Sequence, residues 1–399
     1  MKIAILTSGI LPVPAVQGGA VENLIDFYLE YNEKHHLHDI TVYSVWHPDV
    51  EKHPNLQSEV NHYRHIDTSS LFAKMRRRLY QVFHSHEYYN HYIEYFFEQA
   101  YSHIRKEHYD YILMENRPGY IYKLSKRGFT NLTLHLHNDL LNSDTLYSQD
   151  IYDNLRKVIT VSDYIKQRVE SITPLSPTSN HKIITVYNGI NLHNFKRNSS
   201  SAITRKDIGF SNDDFVLVYS GRLNKDKGIA QLIDAMILLK DLPQVRLMIL
   251  GSSFFGNVAN EDSFVRSLKE KSLPIKERIV FTGFVNYEKM PMYLQLADVA
   301  VIPSIWAEPF GLTVVEAQAM GLPTIVSRQG GIPEIVSAES SVIVSTDNSY
   351  EQHLADAIRM LFQSPQQRAD MAAAALRNVV KFDKERYARD FFNVLESMP

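Results

Sequence analysis

Apolar and β-branched residues run in short blocks along this chain, and longer stretches with apolar positions every three or four residues separate the blocks. Blocks of this kind read as strands buried on both faces, and the longer stretches as amphipathic helices. In the first half the blocks are Lys2–Thr7, Ile40–Tyr43, Tyr111–Met114, Leu132–His137 and Val158–Val161. In the second half they are Phe215–Tyr219, Arg246–Leu250, Ile279–Thr282, Val299–Ile302, Thr324–Val326 and Ser341–Val344, with amphipathic stretches such as Gly228–Lys240 between them. The alternation predicts parallel sheets covered by helices, and the two sets predict two doubly wound α/β units. Asn198–Asp214 is polar and serine-rich. Such a stretch suits a surface connector, so the expected domains are 1–199 and 200–381. In residues 382–399, Tyr387, Phe391, Phe392 and Leu395 fall at helical spacing. That helix requires an apolar groove, expected on the first domain.

Composition narrows the function classes. The 399 residues, 44% of them hydrophobic, suffice for two cores. A net charge of −3 with 22% charged residues gives no general attraction for nucleic acid. There is no cysteine, which excludes disulfides, zinc-thiolate sites and thiol nucleophiles and suits a reducing, cytoplasmic setting. No apolar run reaches membrane-spanning length, so the expected membrane contact is peripheral.

Four segments could carry chemistry. The longest is Pro303–Glu334, which follows an apolar strand and therefore lies at the carboxyl edge of a parallel sheet, where open α/β folds bind ligands. Pro309 and Gly311 lead there into a helix starting near Thr313 and closed by Gly321. Amides at such a helix start attract phosphate. Glu308 and Glu316 flank the turn and offer acceptors for sugar or ribose hydroxyls. Thr313 and Glu316 also have capping-box spacing, which leaves Glu316 a purely local alternative. The second segment, Ser220–Gly228, joins a strand to a helix and carries Arg222 and Lys227, cations suited to a diphosphate. In the third, Gly18 and Gly19 precede Glu22 at a strand-to-helix turn, without the GxGxxG spacing of nicotinamide dinucleotide sites. In the fourth, His135, His137 and Asp139 alternate onto one strand face. A metal triad is one reading of that pattern. A polar His137 at the sheet edge, with no metal, is the favoured one.

Taken together, Ser220–Gly228, the acidic pair Glu308 and Glu316, the run from Gly321 to Val336 and Asn188-Gly189-Ile190 resemble the family-4 retaining glycosyltransferases of the GT-B fold. The likeness is densest from Ser220 to Val336. It implies two Rossmann-like doubly wound domains facing a central cleft. It implies a diphosphate held by Arg222 and Lys227, with the transferred sugar on Glu308 and the amides of Phe310, Gly311 and Leu312. The ribose would lie on Glu316, the base against Gly251 and Val285, the closing loop at Gly19, and the active-site histidine would be His137. The implied donor is a nucleoside-diphosphate sugar, UDP-linked in the commoner case, used without a metal or other cofactor. Phe382 stands where such enzymes commonly carry tryptophan.

The acceptor side is less legible. Residues 73–97 join Lys74, Arg76, Arg77 and Arg78 to Phe83, Tyr88, Tyr89, Tyr92, Tyr95, Phe96 and Phe97. A basic amphipathic helix suits anionic lipid and a lipid-linked or glycan acceptor, whereas inward-packed aromatics under a solvated arginine face would serve only the fold. Cell-surface polysaccharide or glycoconjugate synthesis is the expected setting. A nucleotide-sugar 2-epimerase of the same architecture and a catalytically silent partner subunit are the rival readings.

Overall fold

The computed structural model describes residues 1–83, 91–172, 181–197, 203–252 and 263–397. They form two compact units, Met1–Gly189 with Lys384–Pro399, and Ile190–Asp383.

The first unit is built on a parallel seven-stranded sheet in the order β3-β2-β1-β4-β5-β6-β7. Its strands are β1 (Lys2–Leu6), β2 (Asp39–Val45), β3 (Asn61–Ile66), β4 (Tyr111–Glu115), β5 (Leu132–Leu136), β6 (Leu155–Thr160) and β7 (Ile183–Thr185). β1, β4 and β5 are buried almost throughout, as expected of strands covered on both faces. The block pattern did not reveal β3 and β7. β3 is an edge strand of sequence NHYRHI with only its two ends buried, and β7 has three residues, too few to show a period.

The terminal helix Lys384–Glu396 packs on helix Ala20–His35. Phe391 stacks on Tyr28 at 4.3 Å between ring centroids, and Phe392 meets the same ring edge-on. Full burial of a large apolar side chain contributes about 1.5–3 kcal/mol, and the helix buries Tyr387, Phe391, Phe392 and Leu395.

The second unit holds a parallel six-stranded sheet in the order β10-β9-β8-β11-β12-β13. Its strands are β8 (Phe215–Ser220), β9 (Val245–Leu250), β10 (Ile279–Gly283), β11 (Val299–Ile302), β12 (Thr324–Ser327) and β13 (Ser341–Val344). The chain runs outward from β8 through β9 to β10 and then crosses to β11 on the opposite side of β8. That reversal is the switch point at which doubly wound sheets open a crevice beyond their carboxyl ends.

The unit boundary differs from the expected one. Ile190 already belongs to the second unit, because its amide donates to Phe382 O at 2.9 Å. Residues 203–214 are pinned rather than loose. Arg205 donates to Leu296 O at 2.8 Å and Asp214 O at 2.7 Å and pairs with Asp298 at 2.9 Å. The rest of the expected connector, residues 198–202, lies outside the described residues.

Candidate functional site

In the second unit the loops after β8 and β11, the two strands at the switch point, are joined by backbone. Asp226 O accepts from the amides of Ile305 and Trp306 at 2.9 and 3.1 Å and from Ser304 Oγ at 3.3 Å. Gly228 makes this approach feasible: it has φ 67°, and a Cβ there would lie 1.7 Å from Pro303 O. A similar contact links the loops after β8 and β9, since a Cβ on Gly251 would lie 1.9 Å from Gly221 O. Gly251 N also donates to Gly283 O at 2.9 Å, which extends the backbone rim to β10.

On this frame Lys227 reaches Glu308. The two form an ion pair, Ser304 Oγ donates to the same Glu308 Oε1 at 2.9 Å, and the ammonium lies 5.3 Å from the centre of the Trp306 ring. The Glu308 carbonyl is fixed from behind by Gly331 N at 2.7 Å, and Gly330 leaves room for that approach. Arg222 is exposed on the neighbouring loop, whose path is held by Tyr219 Oη donating to Arg222 O at 2.7 Å.

Helix Leu312–Ala319 begins beside Glu308. Its N-cap is Gly311 at φ 106°, with no side-chain cap, so the capping-box alternative for Glu316 does not hold. The first-turn amides, including those of Leu312 and Thr313, have no carbonyl to meet inside the helix. Phe310 turns its ring inward, 5.8 Å from Phe382 and perpendicular to it. Glu316 is buried and accepts a hydrogen bond from the Tyr287 hydroxyl. Burial pushes its carboxyl up to about 7, against the opposing effect of that hydrogen bond. Tyr287 lies just past Val285 on the loop after β10, so the rim from Gly251 and Gly283 continues to Glu316. Tyr287, Ser304 and Trp306 join this candidate site by their contacts, and sequence reasoning missed them. Trp306 and Ser304 were visible within the Pro303–Glu334 segment, but only the fold shows that they touch Lys227 and Glu308.

The first unit holds a separate cluster at its own strand ends. Glu115 closes β4 and pairs in register with His135 on β5. Glu115 Oε2 lies 2.8 Å from His137 Nε2 and 3.2 Å from His135 Nδ1, while Tyr28 Oη donates to Oε1 at 2.9 Å. Glu115 and His135 are fully buried and His137 nearly so. Burial alone would raise the Glu115 carboxyl, but the two histidines outweigh it and hold the group at about 2. Burial and the neighbouring His135 lower the His137 imidazole, against the pull of Glu115.

The structure does not assemble His135, His137 and Asp139 into the triad, the less favoured reading of that strand face. Asp139 turns away and pairs with Arg168 at 2.7 Å, and Glu115 is the carboxylate that meets both histidines. Glu115, His135 and His137 place ligand-type atoms within 4.8 Å of one another. The hydrogen-bonding partners of the two facing histidine nitrogens are the Glu115 oxygens themselves, and among the described residues His135 Nε2 and His137 Nδ1 have no partner. Among the described residues the set is a hydrogen-bonded network of one carboxylate, two imidazoles and a tyrosine hydroxyl.

Gly19 lies beside this network. It has φ 108°, and a Cβ would lie 2.3 Å from Glu22 Oε2. Burial raises the Glu22 carboxyl, with smaller opposed contributions from His137 and Glu115. Gly19, Glu22, Glu115 and His137 thus form one neighbourhood in the first unit.

Residues 200–378 match the family model described as Glycosyl transferases group 1. The chain is 28% identical over 331 residues to "Putative glycosyltransferase YtcC" of Bacillus subtilis (strain 168), covering 80% of this chain and 73% of that one. It is 27% identical over 332 residues to "Spore coat protein SA" of the same organism, covering 80% and 78%. The crystal structure of Anabaena Alr3699/HepE in complex with UDP and glucose superposes with TM-score 0.72 at 21% identity, covering 100% of both chains. At that identity the superposition establishes the fold, two Rossmann-like α/β units of the GT-B class.

Proposed function

We propose that this chain, which carries a glycosyltransferase group 1 domain in a GT-B fold, transfers a hexose-type sugar from a nucleoside-diphosphate sugar to a glycan or lipid-linked acceptor with retained anomeric configuration. The observation that carries the reading is the Lys227–Glu308 pair held between two backbone-linked loops at the switch point, next to a helix start and Glu316. In this reading Lys227 and Arg222 hold the diphosphate and stabilise charge as it leaves. Glu308 and the amides of Phe310, Gly311 and Leu312 hold the sugar, Glu316 the ribose, and Gly251 and Val285 border the base. UDP is the preferred donor nucleotide, since the Anabaena protein of the same fold was crystallised with UDP and glucose.

The step balances without a cofactor. The bond from C1 to the diphosphate oxygen breaks and the acceptor oxygen bonds C1 on the same face. The acceptor's proton passes to the departing diphosphate. Two protein cations serve where a divalent ion otherwise would. His137, held by Glu115 with its Nδ1 buried and unpartnered among the described residues, is the proposed catalytic histidine of the first unit. Cell-surface polysaccharide or glycoconjugate synthesis in the cytoplasm is the setting this chemistry suits.

Thermal shift with UDP-, GDP- and ADP-linked sugars tests the reading. A ligand bound only by the folded state raises the midpoint with concentration. UDP-glucose is expected to raise it in the parent and to fail in Lys227→Ala. No shift with any nucleotide sugar would overturn the proposal. Isomerised donor in the absence of acceptor would favour a 2-epimerase instead.

A further inference from the structure

Helix Leu71–Phe83 buries little of its apolar surface. Leu71 is 86% exposed, Phe72 59%, Met75 55%, Leu79 56% and Val82 74%. Positions 71, 75, 79 and 82 follow helical spacing, and 72 adjoins them, so the five form one stripe. Ala73 is buried at 2%, and Arg76 is 3.6 Å from the buried Glu94. The helix therefore packs by its Ala73 side, where Phe72 also meets the Tyr95 ring edge-on at 6.3 Å, and turns Leu71, Met75, Leu79 and Val82 outward. A monomer has reason to hide such a stripe unless something covers it.

Charge identifies the occupant. The helix sequence LFAKMRRRLYQVF carries Lys74, Arg76, Arg77 and Arg78 and no acidic residue, in a chain whose net charge is −3. Lys74, Arg77 and Arg78 are exposed. Two copies meeting through this stripe would bring like charges together. A surface combining an apolar interior with anionic headgroups satisfies both features at once.

We propose that helix Leu71–Phe83 is a docking face for an anionic lipid bilayer, with Leu71, Met75, Leu79 and Val82 entering the interface and Lys74 and Arg78 meeting headgroups. The aromatic residues that follow do different work. Phe96 and Phe97 are buried in helix His91–Ile104, Phe97 at 5.0 Å from the Tyr120 ring, whereas Tyr88 and Tyr89 lie outside the described residues. The docking face is thus narrower than residues 73–97. The proposal is independent of the donor reading.

Flotation of the full chain tests it, using phosphatidylcholine vesicles with and without about one-third phosphatidylglycerol. The parent is expected to float with the anionic vesicles and to stay behind with the neutral ones. Met75→Glu with Leu79→Glu, and separately Lys74→Glu with Arg78→Glu, should each lower partitioning at least about tenfold with an unchanged thermal midpoint. The substitutions fall on exposed positions of a helix, where glutamate is well tolerated. The proposal fails if the parent does not float with anionic vesicles, or if neither pair of changes reduces flotation. It also fails if sedimentation shows a dimer that Met75→Glu with Leu79→Glu abolishes, because a second copy would then own the stripe.

Discussion

Each unit places an acidic residue beside basic ones at the carboxyl edge of a parallel sheet, yet the two arrangements are built for different ends. In the first unit Glu115 is sealed, with Tyr28, His135 and His137 sharing its two oxygens. In the second, both described hydrogen bonds of the Glu308 carboxylate fall on one oxygen, Oε1, and the groups around it sit on loops joined by backbone. A fully partnered buried carboxylate fixes its neighbours and leaves little for a ligand. A carboxylate and an ammonium held on loops beside a helix start can exchange their contacts for those of a substrate. The first arrangement positions a histidine, and the second is suited to bind.

Removing the two carboxylates separates these roles. Glu115→Ala leaves two buried imidazoles and the Tyr28 hydroxyl without their shared acceptor. Loss of one partner of a buried charged set costs about 3–5 kcal/mol. Urea unfolding of the variant is expected to show that loss, and a change below about 1 kcal/mol would mean the cluster does not hold the fold as described. The stability that Glu115 contributes is present above the ordinary carboxylate range and is lost as pH falls toward about 2, because its carboxyl is depressed in the folded state.

Lys227→Ala and Glu308→Gln should show the converse. Withdrawing a cation or acceptor aimed at developing charge lowers kcat about 10²–10³-fold. The thermal midpoint should fall less than in Glu115→Ala, since the Lys227–Glu308 pair lies on loops and keeps part of its surface in water, whereas Glu115 is fully buried. Turnover near the parent's in either variant would remove the pair from the site.

Gly228→Ala probes the frame itself. The substitution meets Pro303 O and a positive φ at once, so the loops after β8 and β11 must part. A strained position of this kind costs about 1–3 kcal/mol. Weaker nucleotide-sugar binding should accompany the loss, whereas Gly128→Ala, at φ 89° with no atom within 4 Å, carries backbone strain alone and should leave binding intact.

The sequence disclosed the parts of this comparison that depend on short-range pattern. The buried strands, the helix start after Pro309 and the glycines at 228 and 311 are local features, legible as period and turn chemistry. The partner of His137 is not local. Glu115 precedes it by twenty-two residues on the neighbouring strand, and only the register of a parallel sheet brings them together, while Asp139 offered a nearer false partner. Tyr287 was hidden for a similar reason, since its bond to Glu316 spans β11 and its loops. Edge strands such as β3 escaped because solvent on one side removes the apolar signature.

The finest distinction between the two carboxylate environments is their titration. The two histidines hold the Glu115 carboxyl low, but burial raises Glu316 to about 7, with the Tyr287 hydrogen bond opposing it. A raised folded-state value means that Glu316 favours the folded protein below the ordinary carboxylate range. That advantage fades as pH rises toward about 7. Binding should run the other way, because the ionised carboxylate offers an acceptor oxygen to each ribose hydroxyl, whereas protonation turns one of those oxygens into a donor. Raising pH from about 6 to about 8 takes the group from mostly protonated to mostly ionised, a change worth up to about tenfold in affinity. UDP-glucose is the appropriate ligand, since its diphosphate is esterified at both ends and does not titrate in that interval. Calorimetry across the range is expected to show tighter binding at the higher pH in the parent and a flat profile in Glu316→Gln. A parent profile as flat as the variant's would separate Glu316 from the ribose and leave it a buried prop for Tyr287.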